Sequence, residues 1–92
     1  MLKLRTTSQF RRDTKKARKR GYNMRLLEET IQTLLDEKPL PPEYRDHALL
    51  GNFSGYRECH MQPDWLLMYY TEKDNFVLVA HRTGTHADLL DL

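Results

Sequence analysis

The residues best suited to chemistry are concentrated in the second half of the chain. All four histidines lie there: His47, His60, His81 and His86. Asp64, Trp65 and Arg82 lie near them in the sequence. The unperturbed pKa of imidazole, about 6.5, suits it both to give and to take a proton, and the planar guanidinium of arginine contacts two phosphate oxygens at once. These residue types indicate proton transfer at a phosphodiester.

Cleavage of RNA is a reaction that such a set of residues can perform. A base removes the proton of a 2′-OH so that its oxygen attacks the adjacent phosphorus, and an acid protonates the leaving 5′-oxygen. A cation stabilises the negative charge of the phosphorane. Histidines can serve as acid and base and Arg82 as the cation, so the residues predict an endoribonuclease that needs no metal and no other cofactor.

Three predicted strands must position these residues. Alternating apolar residues, bounded by turn residues, place the strands at about 56–61, 65–71 and 76–82. Short turns at 62–63 and 73–75 join them. The pattern therefore predicts an antiparallel meander.

A meander brings the candidate residues to one end of the sheet. The end of the first strand, the start of the second and the end of the third are neighbours there. His60 lies at the first of these places, Asp64 and Trp65 at the second, and Arg82 at the third. His86 follows Arg82 closely, so we expect these side chains to converge.

The first half of the chain predicts one strand and two helices. Residues 2–6 alternate between apolar or hydroxyl and basic side chains, as in a half-buried strand. Thr7 or Ser8 can cap a helix that ends at Gly21, and Asn23 can cap a second. The second helix has a spaced apolar stripe and must end before the prolines that follow it.

The order of these elements predicts an α+β fold. The elements follow one another as β-α-α-β-β-β, with a short helix at about 85–90 at the C-terminus. Two N-terminal helices are expected to pack on one small antiparallel sheet. The length of 92 residues predicts a single domain over 1–92.

Charge is divided unevenly along the chain. Residues 1–25 contain ten basic residues and one acidic residue, a net charge of +9, and residues 26–92 contain five basic and twelve acidic residues, a net charge of −7. Such a concentration of positive charge is typical of a surface that meets a polyanion or an acidic partner, although a solvated helix face can have the same composition. We predict that the first helix binds RNA phosphates through Arg11, Arg12, Lys15, Lys16, Arg18, Lys19 and Arg20.

Several candidate residues also have a purely structural interpretation. His81 alternates with apolar residues in its strand and is expected to be structural. A tryptophan at the start of a strand belongs more often to a core than to a binding surface, and Asp64 after a proline can simply close a turn. His47, His60 and His86 could form a zinc site. The short spacing typical of zinc motifs is absent, however, and a nearby arginine would repel a cation.

Composition indicates the compartment. The only cysteine, Cys59, excludes an intramolecular disulfide and favours a reducing compartment. In an extended strand it points away from His60, so a Cys–His nucleophile pair is not expected. The first residues lack the apolar run of a signal peptide, and no apolar stretch reaches the length of about 18 residues that spans a membrane. We expect a soluble cytoplasmic protein with no membrane partner.

Four ordered blocks of the sequence resemble a known family. They are LPPEYRDHAL at 40–49, GYRECH at 55–60, PDW at 63–65 and RTGTHADL at 82–89. These blocks resemble those of the YafQ-type toxins of the RelE superfamily, and the order of predicted elements agrees along the whole chain. The resemblance implies a RelE-like fold and a toxin of a bacterial type II toxin–antitoxin system. It also implies a ribosome-dependent mRNA interferase that cleaves mRNA in the A site of the 70S ribosome and is neutralised by a cognate antitoxin.

The same resemblance assigns catalytic roles. The positions that match the family's active site are His47, His60, Asp64, Trp65, Arg82 and His86. His86 is expected to be the general acid. His60, held by Asp64, or else His47, is expected to be the base, and Arg82 is expected to stabilise the phosphorane.

Two positions are expected to contact the substrate. Trp65 would form the floor on which a base or sugar rests. Leu90 occupies the place, four residues after the last histidine, where the family often has an aromatic side chain. Stacking on an aromatic ring is worth about 1–3 kcal/mol per base, so the rate or the codon preference is expected to differ here.

Two functions of other classes compete with the nuclease. The first is a non-catalytic toxin of the same fold that acts by binding, either of the gyrase-poisoning type or an inactivated homologue; the histidine set argues against it. The second is a plain RNA-binding domain. The predicted strands lack the exposed aromatic residues interleaved with basic residues that such a domain uses.

Overall fold

A five-stranded sheet organises the computed structural model, which describes residues 1–90. The elements in chain order are β1 (Lys3–Thr6), α1 (Ser8–Lys19), α2 (Met24–Leu35), β2 (His47–Ala48), β3 (Arg57–Gln62), β4 (Trp65–Glu72), β5 (Val77–Gly84) and α3 (His86–Leu90). The predicted α+β fold is confirmed, and β2 is an addition, since it lies in a stretch predicted as a loop. Within residues 1–90 no helix has the length and apolar character needed to cross a membrane.

The strand order across the sheet is β1-β5-β4-β3-β2. β3, β4 and β5 pair antiparallel, as the meander predicts, and β2 also pairs antiparallel with β3. β1 instead runs parallel to β5, with Leu4 opposite Leu78, so the sheet is mixed rather than antiparallel throughout. The alternation of residues in a strand reports its two faces. It does not report the strand's direction relative to a partner far away in the sequence.

The two N-terminal helices are capped as predicted. The Thr7 hydroxyl accepts a hydrogen bond from the amide of Phe10 (2.9 Å), and the Asn23 side chain accepts one from the amide of Arg25 (3.2 Å). Such caps satisfy amides that lack a partner within the helix. Each helix then buries one face against the sheet. The buried faces include Phe10 and Ala17 of α1 and Leu27 and Ile31 of α2.

The central strand β4 divides the interior into two cores. On one side, called the helix face, Trp65 and Leu67 pack with the buried residues of α1 and α2. On the other side, called the α3 face, Leu66 and Met68 pack with Leu89 of α3. Because both sides of β4 are covered, residues 65–69 are all buried. Away from the register shifts at Met68/Tyr69 and His60/Gln62, a side chain on a neighbouring strand can therefore be assigned to a face by its partner on β4.

Candidate active site

Three imidazoles lie in a row on the α3 face. The ring centroids of His47 and His60 are 6.0 Å apart, with ring planes 19° from parallel. Those of His60 and His86 are 5.6 Å apart, with an angle of 41° between planes. His60 lies opposite Leu66, and residues directly opposite each other project to the same face of a sheet. The structure thus brings His60 and His86 together, as the meander predicts, and adds His47 through β2.

Glu58 is an acidic residue of the site that was not predicted from the sequence. Its side chain is 7% exposed, and its Oε1 lies 3.7 Å from Nε2 of His60 and 3.9 Å from Nε2 of His47. The available signal was the spacing, since residues 58 and 60 of a strand share a face. Its approach to His47 depends on the register of β2 with β3, where His47 lies opposite Glu58. A buried carboxylate requires polar or charged partners, which these imidazoles supply.

Backbone carbonyls set the orientation of two imidazoles. Nδ1 of His60 donates to the carbonyl of Tyr44 (3.3 Å), and Nδ1 of His47 donates to the carbonyl of Arg45 (2.5 Å). A carbonyl can only accept, so both Nδ1 atoms carry the proton in this geometry. In each neutral ring Nε2 is then the nitrogen available to take a proton, and it is also the nitrogen nearer to Glu58.

Asp64 orients His86 rather than His60, which corrects the prediction. Its Oδ1 accepts a hydrogen bond from the backbone amide of His86 (3.0 Å) and lies 2.7 Å from Nδ1 of the same residue. The amide hydrogen bond, followed by that of the imidazole, lowers the pKa of Asp64. Asp64 lies in the turn after β3, and α3 follows β5. The contact between them depends on where the chain goes after β5, which the sequence does not indicate. The contact leaves Nε2 of His86 as its reactive nitrogen.

Arg82 is held by α1. Its Nε and Nη2 donate to the two carboxylate oxygens of Asp13, each at 3.1 Å. Asp13 is a buried acidic residue of a basic helix, and the sequence patterns predicted no role for it. The backbone of Arg82 lies opposite Met68, which lies opposite Glu58 in turn. Arg82 thus lies beside the middle of β4, two residues before the end of β5, rather than beside the start of β4 as predicted, and its guanidinium is fixed toward α1.

Trp65 is buried in the core, whereas the sequence predicted an exposed floor for the substrate. Its side chain is 1% exposed and belongs to the helix-face core, where its ring centroid lies 4.9 Å from that of Tyr22. Its Nε1 is buried without a hydrogen-bond partner among residues 1–90. Successive side chains in a strand alternate between its two faces, so Trp65 lies on the helix face while its neighbour Leu66 lies on the α3 face.

The other predicted positions have varied environments. His81 packs on Tyr56, with ring centroids 4.6 Å apart, and burial lowers its pKa, in agreement with a structural role. Cys59 is fully buried in the helix-face core, and burial raises the pKa of its thiol to about 12, so it is unsuited to act as a nucleophile. Leu90 ends α3, and its side chain lies outside the described part of the structure.

The basic residues of α1 are exposed, and two of them anchor α3. Arg20 lies 2.7 Å and Lys16 3.3 Å from the carboxylate of Asp88. The Asp88 carboxylate also accepts from the amide of Thr85 (3.0 Å), while the Thr85 hydroxyl accepts from the amide of Asp88 (3.1 Å), a reciprocal cap of the helix that begins with His86. The Arg20 hydrogen bond is the main cause that holds the pKa of Asp88 well below its usual range.

Gly84 is required by this anchor. A Cβ at this position would lie 2.9 Å from both Cβ and Oδ2 of Asp88, which is closer than non-bonded atoms approach. Any other residue would therefore displace Asp88 and, with it, the start of α3. The glycine in the RTGTH block thus serves the placement of His86.

Part of the imidazole row has the geometry of a metal site. One ligand atom each from Glu58, His60 and His86 lies within 4.8 Å of the others. The sequence suggested His47, His60 and His86 as possible zinc ligands. In the structure, Glu58 takes the place of His47 in this set. Two imidazoles and a carboxylate are donors that zinc and copper accept, so the residues fit such an ion.

Comparison with known proteins identifies relatives along the whole chain. Residues 2–91 match the family described as the bacterial toxin of type II toxin–antitoxin system, YafQ. The mRNA interferase toxin YafQ of Escherichia coli K12 is 42% identical over 85 residues, 90% of this chain and 89% of that protein. A metal-bound toxin from Helicobacter pylori has a TM-score of 0.92 and 39% identity, covering 97% of this chain and 99% of that chain. The toxin in the E. coli DinJ–YafQ toxin–antitoxin complex has a TM-score of 0.85 and 37% identity, covering 97% and 98%.

Fold and sequence together define a bacterial toxin of the type II toxin–antitoxin class. The family match covers nearly the whole chain, and the four sequence blocks and the imidazole row lie within it. The chain belongs to the YafQ family.

Proposed function

We propose that this toxin is an endoribonuclease that cleaves mRNA on the ribosome by attack of a 2′-OH on the adjacent phosphorus. The observation that carries the proposal is the row of three imidazoles with Glu58 between two of them. A toxin that acts by binding alone has no need of such a set, so the non-catalytic alternative is less well supported. The E. coli relative is named an mRNA interferase toxin, which supports the same activity here.

His60 is the proposed general base. Its Nδ1 donates to a backbone carbonyl, so in the neutral ring it is Nε2 that has no hydrogen and can accept that of the 2′-OH. The carboxylate of Glu58, 3.7 Å away, stabilises the imidazolium that forms. His47 is the alternative base, because its Nε2 lies 3.9 Å from the same carboxylate.

His86 is the proposed general acid. With Nδ1 held by Asp64, protonated Nε2 gives its proton to the leaving 5′-oxygen. The O2′–P bond forms as the P–O5′ bond breaks, so the products are a 2′,3′-cyclic phosphate and a 5′-OH. Arg82, positioned by Asp13, is proposed to stabilise the negative charge on the phosphorane. None of these steps uses a metal.

The proposal is tested by removing the nucleophile from the substrate. Ribosomes are programmed with an mRNA that carries 2′-H in place of 2′-OH at the mapped cut. We expect no cleavage there, and a 5′-OH end on the product of unmodified mRNA. Cleavage of the 2′-H substrate, or a 5′-phosphate on the product, would contradict the proposed attack. Equal cleavage of free and ribosome-bound mRNA would contradict the dependence on the ribosome.

The exposed basic residues of α1 are proposed to bind ribosomal RNA phosphates. Lys15, Arg18 and Lys19 are exposed and, unlike Lys16 and Arg20, make no ion pair among residues 1–90. In a plot of the logarithm of the binding constant against the logarithm of the salt concentration, each lost phosphate contact reduces the magnitude of the slope by about 0.7–0.9. We therefore expect the triple change to Gln to lower the slope by about 2–3 and to weaken ribosome binding.

A matched variant controls for net charge. Gln at Lys3, Lys38 and Lys73 removes the same number of positive charges from exposed positions away from α1. We expect its salt dependence to stay close to that of the wild type. Equal slopes for the two triple variants would contradict a specific role of α1.

A cognate antitoxin is the proposed protein partner. The basis is the DinJ–YafQ toxin–antitoxin complex of the E. coli relative, whose toxin covers nearly the whole of this chain. The basic surface of α1 could receive acidic residues of such a protein. We further propose that residues 1–92 act as one domain, and that the protein works in the cytoplasm, where its ribosome and mRNA substrates are.

A transition-metal ion is proposed to compete with catalysis. Glu58, His60 and His86 would hold it, and the H. pylori relative is a metal-bound toxin. Coordination would occupy nitrogens that must transfer protons, so we expect Zn²⁺ to inhibit cleavage and a zinc-selective chelator to restore it with Mg²⁺ kept constant. Calorimetry should show weaker Zn²⁺ binding by Glu58→Gln than by His81→Ala. Stimulation of cleavage by Zn²⁺ would overturn this prediction.

A further inference from the structure

A cavity of about 380 Å³ adjoins the proposed catalytic histidines. His60 and His86 line one side of it, and Tyr44, Arg45, Gln62 and Pro63 contribute to the rest. Trp65, the residue predicted to form the substrate floor, is buried on the opposite face of the sheet. The proposed reaction therefore has a catalytic row without an assigned place for the bases on either side of the cut.

We propose that this cavity binds the nucleobase of a nucleotide next to the scissile phosphate, an inference that rests on the proposed function. The ring of Tyr44 and the apolar ring of Pro63 offer surface for a flat heterocycle, and aromatic side chains bind bases by stacking. The amide of Gln62 and the guanidinium of Arg45 can hydrogen-bond the edge of a base. A base held there is adjacent to both His60 and His86.

The charge of the cavity favours a base over a second phosphate. Apart from the two proposed catalytic histidines, its lining includes one guanidinium, that of Arg45, and one carboxylate, that of Glu43. The exposed face of α1 together with Arg20, its C-cap, instead carries seven basic residues from Arg11 to Arg20. A phosphate is attracted to the second surface, whereas an uncharged heterocycle suits the part of the cavity lined by Glu43, Arg45 and Gln62, whose two charges are opposite in sign.

The backbone around the cavity is adapted to present these side chains. A β-bulge lies between His60 and Gln62, and Met61, the residue between them, is buried in the helix-face core. His60, Met61 and Gln62 all line the cavity. Arg45 has a φ of 49°, a conformation that non-glycine residues rarely adopt. Bulges and such conformations recur beside active sites, where they redirect side chains.

Tyr44 links the cavity to the proposed base. Tyr44 lines the cavity and packs partly buried against the helix-face core, and its carbonyl accepts the hydrogen bond from Nδ1 of His60 (3.3 Å). A base that stacks on the Tyr44 ring would therefore contact the same residue that fixes the reactive nitrogen of His60. Occupation of the cavity is expected to raise the cleavage rate as well as the affinity.

The test combines protein variants with mRNA that lacks one base. Ribosomes are programmed with mRNA that carries an abasic ribose on the 5′ or the 3′ side of the cut, and kcat/KM is measured for wild type and Tyr44→Ala. We expect the wild type to lose about 10-fold on one of the two abasic substrates, the lower part of the range for a lost stacked base. Tyr44→Ala should lose a similar factor on intact mRNA and nothing further on that abasic mRNA.

Two further variants separate base binding from folding. Tyr44→Phe keeps the ring and should restore most of the activity. Tyr56→Ala removes another half-buried tyrosine, which packs on His81 outside the cavity. Any loss of kcat/KM that it causes should be independent of the loss caused by the abasic mRNA, so the two factors should multiply. The inference is overturned if neither abasic substrate is cut more slowly, or if the Tyr44→Ala and abasic losses multiply. The proposed function survives either result as long as 2′-H at the cut still abolishes cleavage.

Discussion

Replacement of His86 by alanine is expected to lower the rate of mRNA cleavage on ribosomes by about 10²–10⁴-fold, the usual contribution of one positioned acid or base. The loss follows from the absence of a proton donor for the leaving 5′-oxygen. Two hydrogen bonds hold His86 to Asp64 at the start of α3, and alanine keeps only the one made by the backbone amide. Expression of the wild type should arrest growth and leave breaks inside codons, whereas His86→Ala should be tolerated.

The control for this experiment is His81→Ala. His81 packs on Tyr56 and lies outside the row of three imidazoles, so its loss is expected to change the cleavage rate by only a few-fold. Circular dichroism and ribosome binding should show that both variants are folded and still reach the substrate. Equal toxicity of His86→Ala and wild type would remove His86 from the mechanism.

Replacement of Trp65 by alanine is expected to lower the free energy of unfolding by about 3–5 kcal/mol. The side chain is 1% exposed and packs against Tyr22, so truncation leaves a cavity in the helix-face core. Domains of this size are stable by only about 5–15 kcal/mol, and this variant should be close to unfolding at 37 °C. Urea denaturation monitored by circular dichroism measures the change.

Trp65→Phe distinguishes a core residue from a substrate floor. It keeps an aromatic ring in the core and removes the indole N–H, which is buried without a partner in the described residues; an unsatisfied buried donor costs about 1–3 kcal/mol. We therefore expect a much smaller loss of stability than for alanine, with cleavage activity near that of the wild type. A stable Trp65→Phe protein that no longer cleaves mRNA would restore the original assignment of Trp65 to the substrate.

Local signals in the sequence were sufficient for most of the elements. Caps at Thr7 and Asn23 mark the starts of the two helices, and turn residues after β3 and β4 mark the meander. These features act between residues close together in the chain, so a single sequence contains them. The meander alone implies that β3 and β5 finish at the same end of the sheet. His60 lies near the end of β3 and His86 follows β5, so the sequence predicts that the two histidines are close together.

Partners from distant parts of the chain were decided only by the tertiary structure. The alternation of apolar and polar residues in β1 is compatible with parallel and with antiparallel pairing, and the structure has the parallel one. In β4 the alternation shows which residues share a face, but it does not show that the face of Trp65 is the one covered by the helices. The approach of Glu58 to His47 depends on the register of a two-residue strand, too short to leave a pattern.

The sequence by itself thus determined which residue types could do the chemistry and at which end of a sheet they would gather. It did not determine which carboxylate holds which base or acid, because Asp64 contacts His86 and Asp13 contacts Arg82 only after α3 and α1 have docked on the sheet. Secondary structure depends on neighbours in the chain, whereas these hydrogen bonds depend on distances between elements that packing alone sets.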